Sequence, residues 1–244
     1  MTDRHPFFLV ADSRGGFHLL TSLLYSTGKI EYIGHSLTEL PSSPTDNEIL
    51  ELFEFLYKEY SRSGVYGTKV EIYWLSTVIR YFQLKGIPFN SVKWIRLYRN
   101  NPIRQAISMV NAAKTGQFVL LKTASEEERN KNSELVNITL KEVASNVLKY
   151  NALNVFWQNF FDSHDIRPYT VVYERIVNPS TWETEVRNIL HFLEIDSREI
   201  GVISTNYLKM SDDAQVERLE REFIEKYTKL DLSLLIEEEC SFLR

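Results

Sequence analysis

The chain has 244 residues, 43% of them hydrophobic and 25% charged, with a formal net charge of −5 at pH 7. This is the composition of an ordinary globular protein with a sizeable core, and its acidic balance excludes a broad nucleic-acid-binding face, so any polyanion site must be local. No run is apolar enough for a membrane span, the burst at 7–11 is too short for a signal-peptide core, and Cys240, the single cysteine, has no basic neighbourhood to activate it. The expectation is a cytoplasmic enzyme with one domain over 1–244.

Phe7 to Ala11 is a continuous apolar run that reads as a buried parallel strand. Asp12-Ser13-Arg14-Gly15-Gly16-Phe17-His18 follows, then apolar residues at helical spacing to Leu24. Paired glycines allow a tight turn and a close backbone approach. A helix N-terminus behind them favours an anion, with Arg14 as the obvious cation. Thr27-Gly28 stops the helix, Glu31 to Ile33 is extended, and Pro41 to Pro44 is a loop. Thr45 to Glu48 carries N-cap chemistry for a helix to about Tyr60. Val65 to Val70 is a second core strand, with a helix from about Tyr73 to Lys85. Val92 to Tyr98 is a third, ending at Arg99, and Asn101-Pro102 opens a helix to about Gly116.

Residues 121–135 lack apolar periodicity and read as a mobile loop. Val136 to Phe161 carries apolar residues three and four apart, a long amphipathic helix whose stripe serves core burial first and a homodimer second. A strand at Tyr169 to Tyr173, a helix at about Thr181 to Phe192 and a charged helix near Asp212 to Tyr227 complete the chain, with 205–244 a helical C-terminal segment. Strands alternating with helices give an α/β fold: a central parallel sheet covered by helices on both faces. Ligands in such sheets sit beyond the carboxyl ends of the strands, and Arg14, Lys69 and Arg99 all lie at or just after strand ends.

These residues resemble a family. Arg14 to Leu20 aligns without gaps to the Arg-Ser-Gly-Ser-Thr-Leu-Leu loop of the bacterial trehalose 2-sulfotransferase family, and Val65 to Lys69 is similar to its Val-Trp-Gly-Gly-Lys strand. Arg99 and Ser108, within Gln105-Ala106-Ile107-Ser108, resemble its 3′-phosphate signature. Trp157 to Phe161, Pro168 and Val172-Tyr173-Glu174 resemble its C-terminal landmarks.

The resemblance implies a P-loop-nucleotide-hydrolase-like sulfotransferase fold. It also implies transfer of the sulfuryl group of 3′-phosphoadenosine 5′-phosphosulfate (PAPS) to a hydroxyl of a small, carbohydrate-type acceptor, with no metal required. The loop of Arg14, Gly15, Gly16, Phe17 and His18 then cradles the 5′-phosphosulfate, and Arg99 with Ser108 holds the 3′-phosphate. Lys69 reaches the transferring group. Acceptor contacts fall to the loops at 29–47 and 117–135.

The chain departs from the pattern at several places. Gly15, Phe17 and His18 stand where the family has hydroxyl residues, and each lost donor to a charged group is worth roughly 1.5–3 kcal/mol. His35 stands where the family has its catalytic glutamate; histidine is a common general base, so His35 is the expected base, with Glu31 in reserve. A C-terminal arginine of the family falls at Met210 or is shifted. Two other readings remain. One is a degenerate sulfotransferase-like binding or regulatory module. The other is an ATP-dependent phosphotransferase, which the missing Lys-Ser/Thr after the glycines disfavours.

Overall fold

The computed structural model describes residues 6–60, 65–126, 137–207 and 213–227. The strands are β1 (Phe7–Ala11), β2 (Tyr32–Gly34), β3 (Tyr66–Val70), β4 (Trp94–Tyr98) and β5 (Tyr169–Val172). The helices are α1 (Phe17–Tyr25), α2 (Asp46–Tyr60), α3 (Leu75–Lys85), α4 (Pro102–Thr115), α5 (Leu140–Ser163), α6 (Tyr173–Ile176), α7 (Trp182–Phe192) and α8 (Asp213–Tyr227). The chain groups into two compact units. The first comprises residues 1–100 and 152–207, the second 101–151 and 208–244.

The first unit holds a five-stranded sheet in the order β2-β3-β1-β4-β5, parallel throughout. β1 sits at its centre with every residue buried, because it faces helices on both sides. Alternation along the strands sends Phe8, Val10, Tyr66, Val70 and Trp94 to one face, where α2, α3 and the second half of α5 cover them. Phe7, Leu9, Ala11, Ile33, Ile95, Leu97 and Val171 go to the other, under α1, α6 and α7. Gly67 lies opposite Phe7 in register, and a Cβ there would stand 2.4 Å from the Phe7 ring, so the strand glycine makes room for an aromatic.

Local chemistry fixes several boundaries. Thr45 and Glu48 form a reciprocal capping box at the start of α2, the Thr45 N–H donating to Glu48 Oε2 at 2.7 Å and the Glu48 N–H to Thr45 Oγ1 at 3.3 Å. The same arrangement at Thr139 and Glu142 starts α5 at Leu140, not at Val136 where the apolar stripe alone begins. The stripe's inward residues Trp157, Phe160 and Phe161 are core, with Trp157 only 1% exposed, so this indole stacks on no ligand.

In the second unit, Asn101 caps α4 by accepting from the Arg104 N–H at 2.9 Å and donates to Glu220 of α8 at 2.5 Å. Arg104 Nε donates to the same carboxylate at 2.7 Å. Residues 127–135 of the expected loop, and 208–212 (with Met210) and 228–244 (with Cys240) of the C-terminal segment, lie outside the described residues.

Candidate active site

The carboxyl ends of all five strands deliver side chains to one edge of the first unit: His35 after β2, Lys69 and Glu71 at β3, Asp12 to Gly16 after β1, Arg99 after β4, and Tyr173 and Glu174 after β5. The order of strands on either side of β1 reverses there, the place where open α/β sheets bind ligands.

The loop after β1 closes as a turn in which the Gly15 N–H donates to the Asp12 carbonyl at 3.0 Å. Arg14 holds a left-handed backbone (φ 61°), uncommon for a residue with a Cβ and frequent at functional sites. Gly16, the N-cap of α1, has φ 100° and no side-chain cap, so the first N–H groups of the helix have no intrahelical acceptor. A Cβ on Gly16 would lie 2.4 Å from the Tyr173 ring, which fills that side of the loop.

That ring also carries Arg99, whose guanidinium lies 4.3 Å from its centroid. Arg99 Nη1 donates to the Arg14 carbonyl at 3.3 Å, and Arg99 Nε stands 4.0 Å from Glu174 Oε1. Glu174 in turn accepts from the Asn100 N–H at 3.0 Å, fixing the turn that presents Arg99. Tyr173 and Glu174 are therefore the reason Arg99 points at the loop. The sequence pattern marks them only as landmarks, and their adjacency at a strand end is the local signal of a further role. Ser108 lies on α4 in the second unit, half-buried.

On the other flank, Phe17 is buried as the first residue of α1, with the ammonium of Lys69 4.9 Å from its ring centroid. Lys69 pairs with Glu71 at 2.8 Å. The Phe17 ring meets the His18 and His35 rings edge-on at 5.4 and 4.8 Å, the two imidazoles lie 5.9 Å apart, and Tyr207 stands 5.5 Å from His18. Segment 201–207 reaches this place because it is pinned along α1, the Ser204 and Asn206 N–H groups donating to Ser26 and Ser22 Oγ at 3.0 and 3.2 Å. His35 is set by Tyr25, whose hydroxyl donates to the Ile33 carbonyl at 2.6 Å, and by Thr38, which donates to the His35 carbonyl at 2.6 Å. Glu31, the reserve base, lies exposed before β2, with the whole strand between it and His35.

Burial pushes His18 down to about 4, helped by His35, Lys69 and Arg14. His35 is lowered by burial and then by Lys69, with Glu71 opposing. Both imidazoles are thus neutral near pH 7, the form that accepts a proton. Asp12 is raised by burial and by Glu71, against Arg96, Lys69 and the Trp157 indole N–H, which faces its carboxyl outside ordinary hydrogen-bond geometry. Among the described residues no group of three or more His, Cys, Asp or Glu side chains is placed to hold a metal ion, and no helix is long and apolar enough to cross a membrane.

A parallel α/β sheet with a glycine turn, a helix N-terminus and two arginines at its carboxyl edge is an arrangement suited to an anionic ligand. The family model for Stf0 sulphotransferases matches residues 86–229, more than half of the chain, which therefore belongs to that family. The match contains Arg99 and Ser108 and begins after the Arg14 loop, His35 and Lys69. The fold is similar to that of a crystal structure of a sulfotransferase from Alicyclobacillus acidocaldarius, with 17% identity, 96% of each chain covered and a TM-score of 0.50. No curated protein matches the chain. Family membership supports sulfuryl transfer as the activity.

Proposed function

We propose that the chain transfers the sulfuryl group of PAPS to a hydroxyl of a small acceptor, of the carbohydrate class that the sequence resemblance gives. The observation that carries the reading is the Arg99 guanidinium, held by Tyr173 and Glu174 and donating to the Arg14 carbonyl. The Arg99 guanidinium, the Arg14 turn and the helix N-terminus that has no side-chain cap thereby meet at the switch point of the sheet. A nucleotide with anionic groups at both the 5′ and 3′ positions matches such a donor set, since guanidinium grips phosphate through paired N–H groups.

The donor supplies an activated sulfuryl group on a phosphate leaving group; the rest falls to the chain. Backbone N–H groups of Gly16, Phe17 and His18 bind the 5′ end, with Arg14 beside them and Gly15 keeping the turn tight. They survive the loss of the family's hydroxyls because they belong to the main chain. Arg99 takes the 3′-phosphate, with Ser108 as its partner on the sequence pattern alone. His35, neutral and with no side-chain hydrogen bond among the described residues, accepts the proton of the attacking hydroxyl. Lys69 faces the transferring group as its charge develops.

Calorimetric titration with 3′-phosphoadenosine 5′-phosphate, against ATP, ADP and 5′-AMP, tests the reading. Selective binding that disappears in Arg99→Ala is expected; a preference for ATP, or no binding, refutes it. The lost loop hydroxyls and a family match that starts beyond the loop favour one second reading, a binding module without turnover. Incubation with PAPS separates the two: a module binds the nucleotide and never consumes the donor in an acceptor screen.

A further inference from the structure

Glu71 has no part in the donor and acceptor chemistry above, yet it is built into the site. Its carboxylate meets Lys69 Nζ at 2.8 Å, with the two side chains only 18% and 7% exposed. Lys69 rests on the Phe17 ring, and Phe17 meets His35. Carboxylate, ammonium, phenyl ring and imidazole thus form one continuous chain from the turn after β3, across the first residue of the donor loop's helix, to the end of β2. An ion pair this buried returns little net stability, because desolvating both charges offsets their attraction. Its placement at the carboxyl edge calls for a reason beyond stability.

We propose that Glu71 is a positioning residue for sulfuryl transfer: it holds the Lys69 ammonium against Phe17, between the donor loop and His35, so that both charges stand beside the imidazole. The inference rests on His35 being the base of the proposed reaction. Facing His35 are Lys69 and Glu71 from the end of β3 and its following turn, and His18 from α1. Lys69 also acts on His18, as does Arg14, while Asp12 at the end of β1 feels Lys69, Glu71 and Arg96.

The two charges act on His35 in opposite directions, Lys69 lowering its pKa and Glu71 raising it, with Lys69 the stronger. Removing one must therefore shift the imidazole the opposite way from removing the other.

The test follows the His35 imidazole carbon resonance of the full chain against pH by NMR, with His18→Asn used for assignment. Glu71→Gln should lower the His35 midpoint, because the one negative charge that raises it is removed. Lys69→Met should raise it, and by more. Glu71→Asp, which keeps the charge, should restore most of the wild-type midpoint. If Glu71→Gln does not fold, Lys69→Met carries the test, and an unmoved or lowered midpoint in it overturns the inference. An unmoved midpoint in Glu71→Gln, or shifts of the same sign in Glu71→Gln and Lys69→Met, overturns the inference. Failure of the functional reading shows elsewhere: wild-type protein that does not bind 3′-phosphoadenosine 5′-phosphate overturns that reading, while opposite shifts at His35 still uphold the Glu71–Lys69 arrangement.

Discussion

Gly16→Ala strikes the donor loop at the point where two constraints meet. The backbone there has φ 100°, and a Cβ would stand 2.4 Å from Tyr173 Cδ2 and 2.9 Å from Cε2. Left-handed backbone costs a residue with a Cβ about 1–2 kcal/mol. Relieving the contact requires the Tyr173 ring to move, and that ring lies 4.3 Å from the Arg99 guanidinium, so overpacking adds about 1–3 kcal/mol. The expected loss is about 2–5 kcal/mol, readable in urea unfolding or as a fall of about 2–4 °C in Tm per kcal/mol for a domain of this size. The two contributions separate in a double-mutant cycle with Tyr173→Ala. Without the ring, Gly16→Ala should cost only the backbone part, leaving a coupling of about 1–3 kcal/mol. A Gly16→Ala protein as stable as wild type refutes the argument, and so does one whose loss is undiminished in the Tyr173→Ala background. Because Arg99 leans on the same ring, the single variant should also bind 3′-phosphoadenosine 5′-phosphate more weakly than its stability loss alone accounts for.

Two further outcomes depend on pH and have opposite signs. His18 is lowered from 6.5 to about 4 in the fold, so the unfolded chain takes up its proton first. Stability falls as pH drops from about 6.5 towards 4, by roughly 1–2 kcal/mol once the partly solvated ring is discounted. His18→Gln should flatten that slope in thermal melts across the pH series, and an unchanged slope would show that the imidazole is not desolvated. Asp12 is raised above 3.8, so the fold holds its proton longer than the unfolded chain does, and its contribution is lost as pH rises through the folded value. Asp12→Asn should gain stability relative to wild type at neutral pH and lose that advantage below about pH 4, whereas a constant difference across the range would contradict the burial argument.

The parts of this fold visible in the sequence are those written in short stretches. Phe7 to Ala11 reads as a central strand because five consecutive apolar residues need two apolar faces. Asn101-Pro102 reads as a helix start because the cap and the proline act within three residues. Thr45 and Glu48 belong to the same class. The start of α5 was misplaced because the apolar stripe runs past Thr139, whose capping box with Glu142 decides where the helix begins. The end of β5 hides more. Tyr173 reads as the last residue of a strand, whereas it starts a helical turn and sets its ring between Gly16 and Arg99. Its partners are remote in sequence, and no local pattern announces a pairing made only through topology. The same holds for Tyr207 at His18.

The charges at the strand ends read differently once these pairings are known. In the sequence, Arg14, Lys69 and Arg99 stand at strand ends as a local cluster of cations in a chain of net charge −5. In the fold, Lys69 is paired by Glu71, Arg99 stands beside Glu174, both imidazoles are held neutral, and Asp12 adds a carboxyl at the head of the loop. Two of the cations are therefore partly offset by neighbouring carboxylates. On the proposed function, affinity comes chiefly from groups already aimed: main-chain N–H groups at the start of α1, and a guanidinium whose direction Tyr173 and Glu174 have fixed. Aimed donors cost no reorganisation when the ligand arrives, and partly buried pairs are screened less by salt than exposed ones. A site of this kind discriminates by where the anionic groups lie on a ligand rather than by how many there are. This is why a nucleotide carrying both a 5′ and a 3′ anionic group should be told apart from a triphosphate of greater total charge.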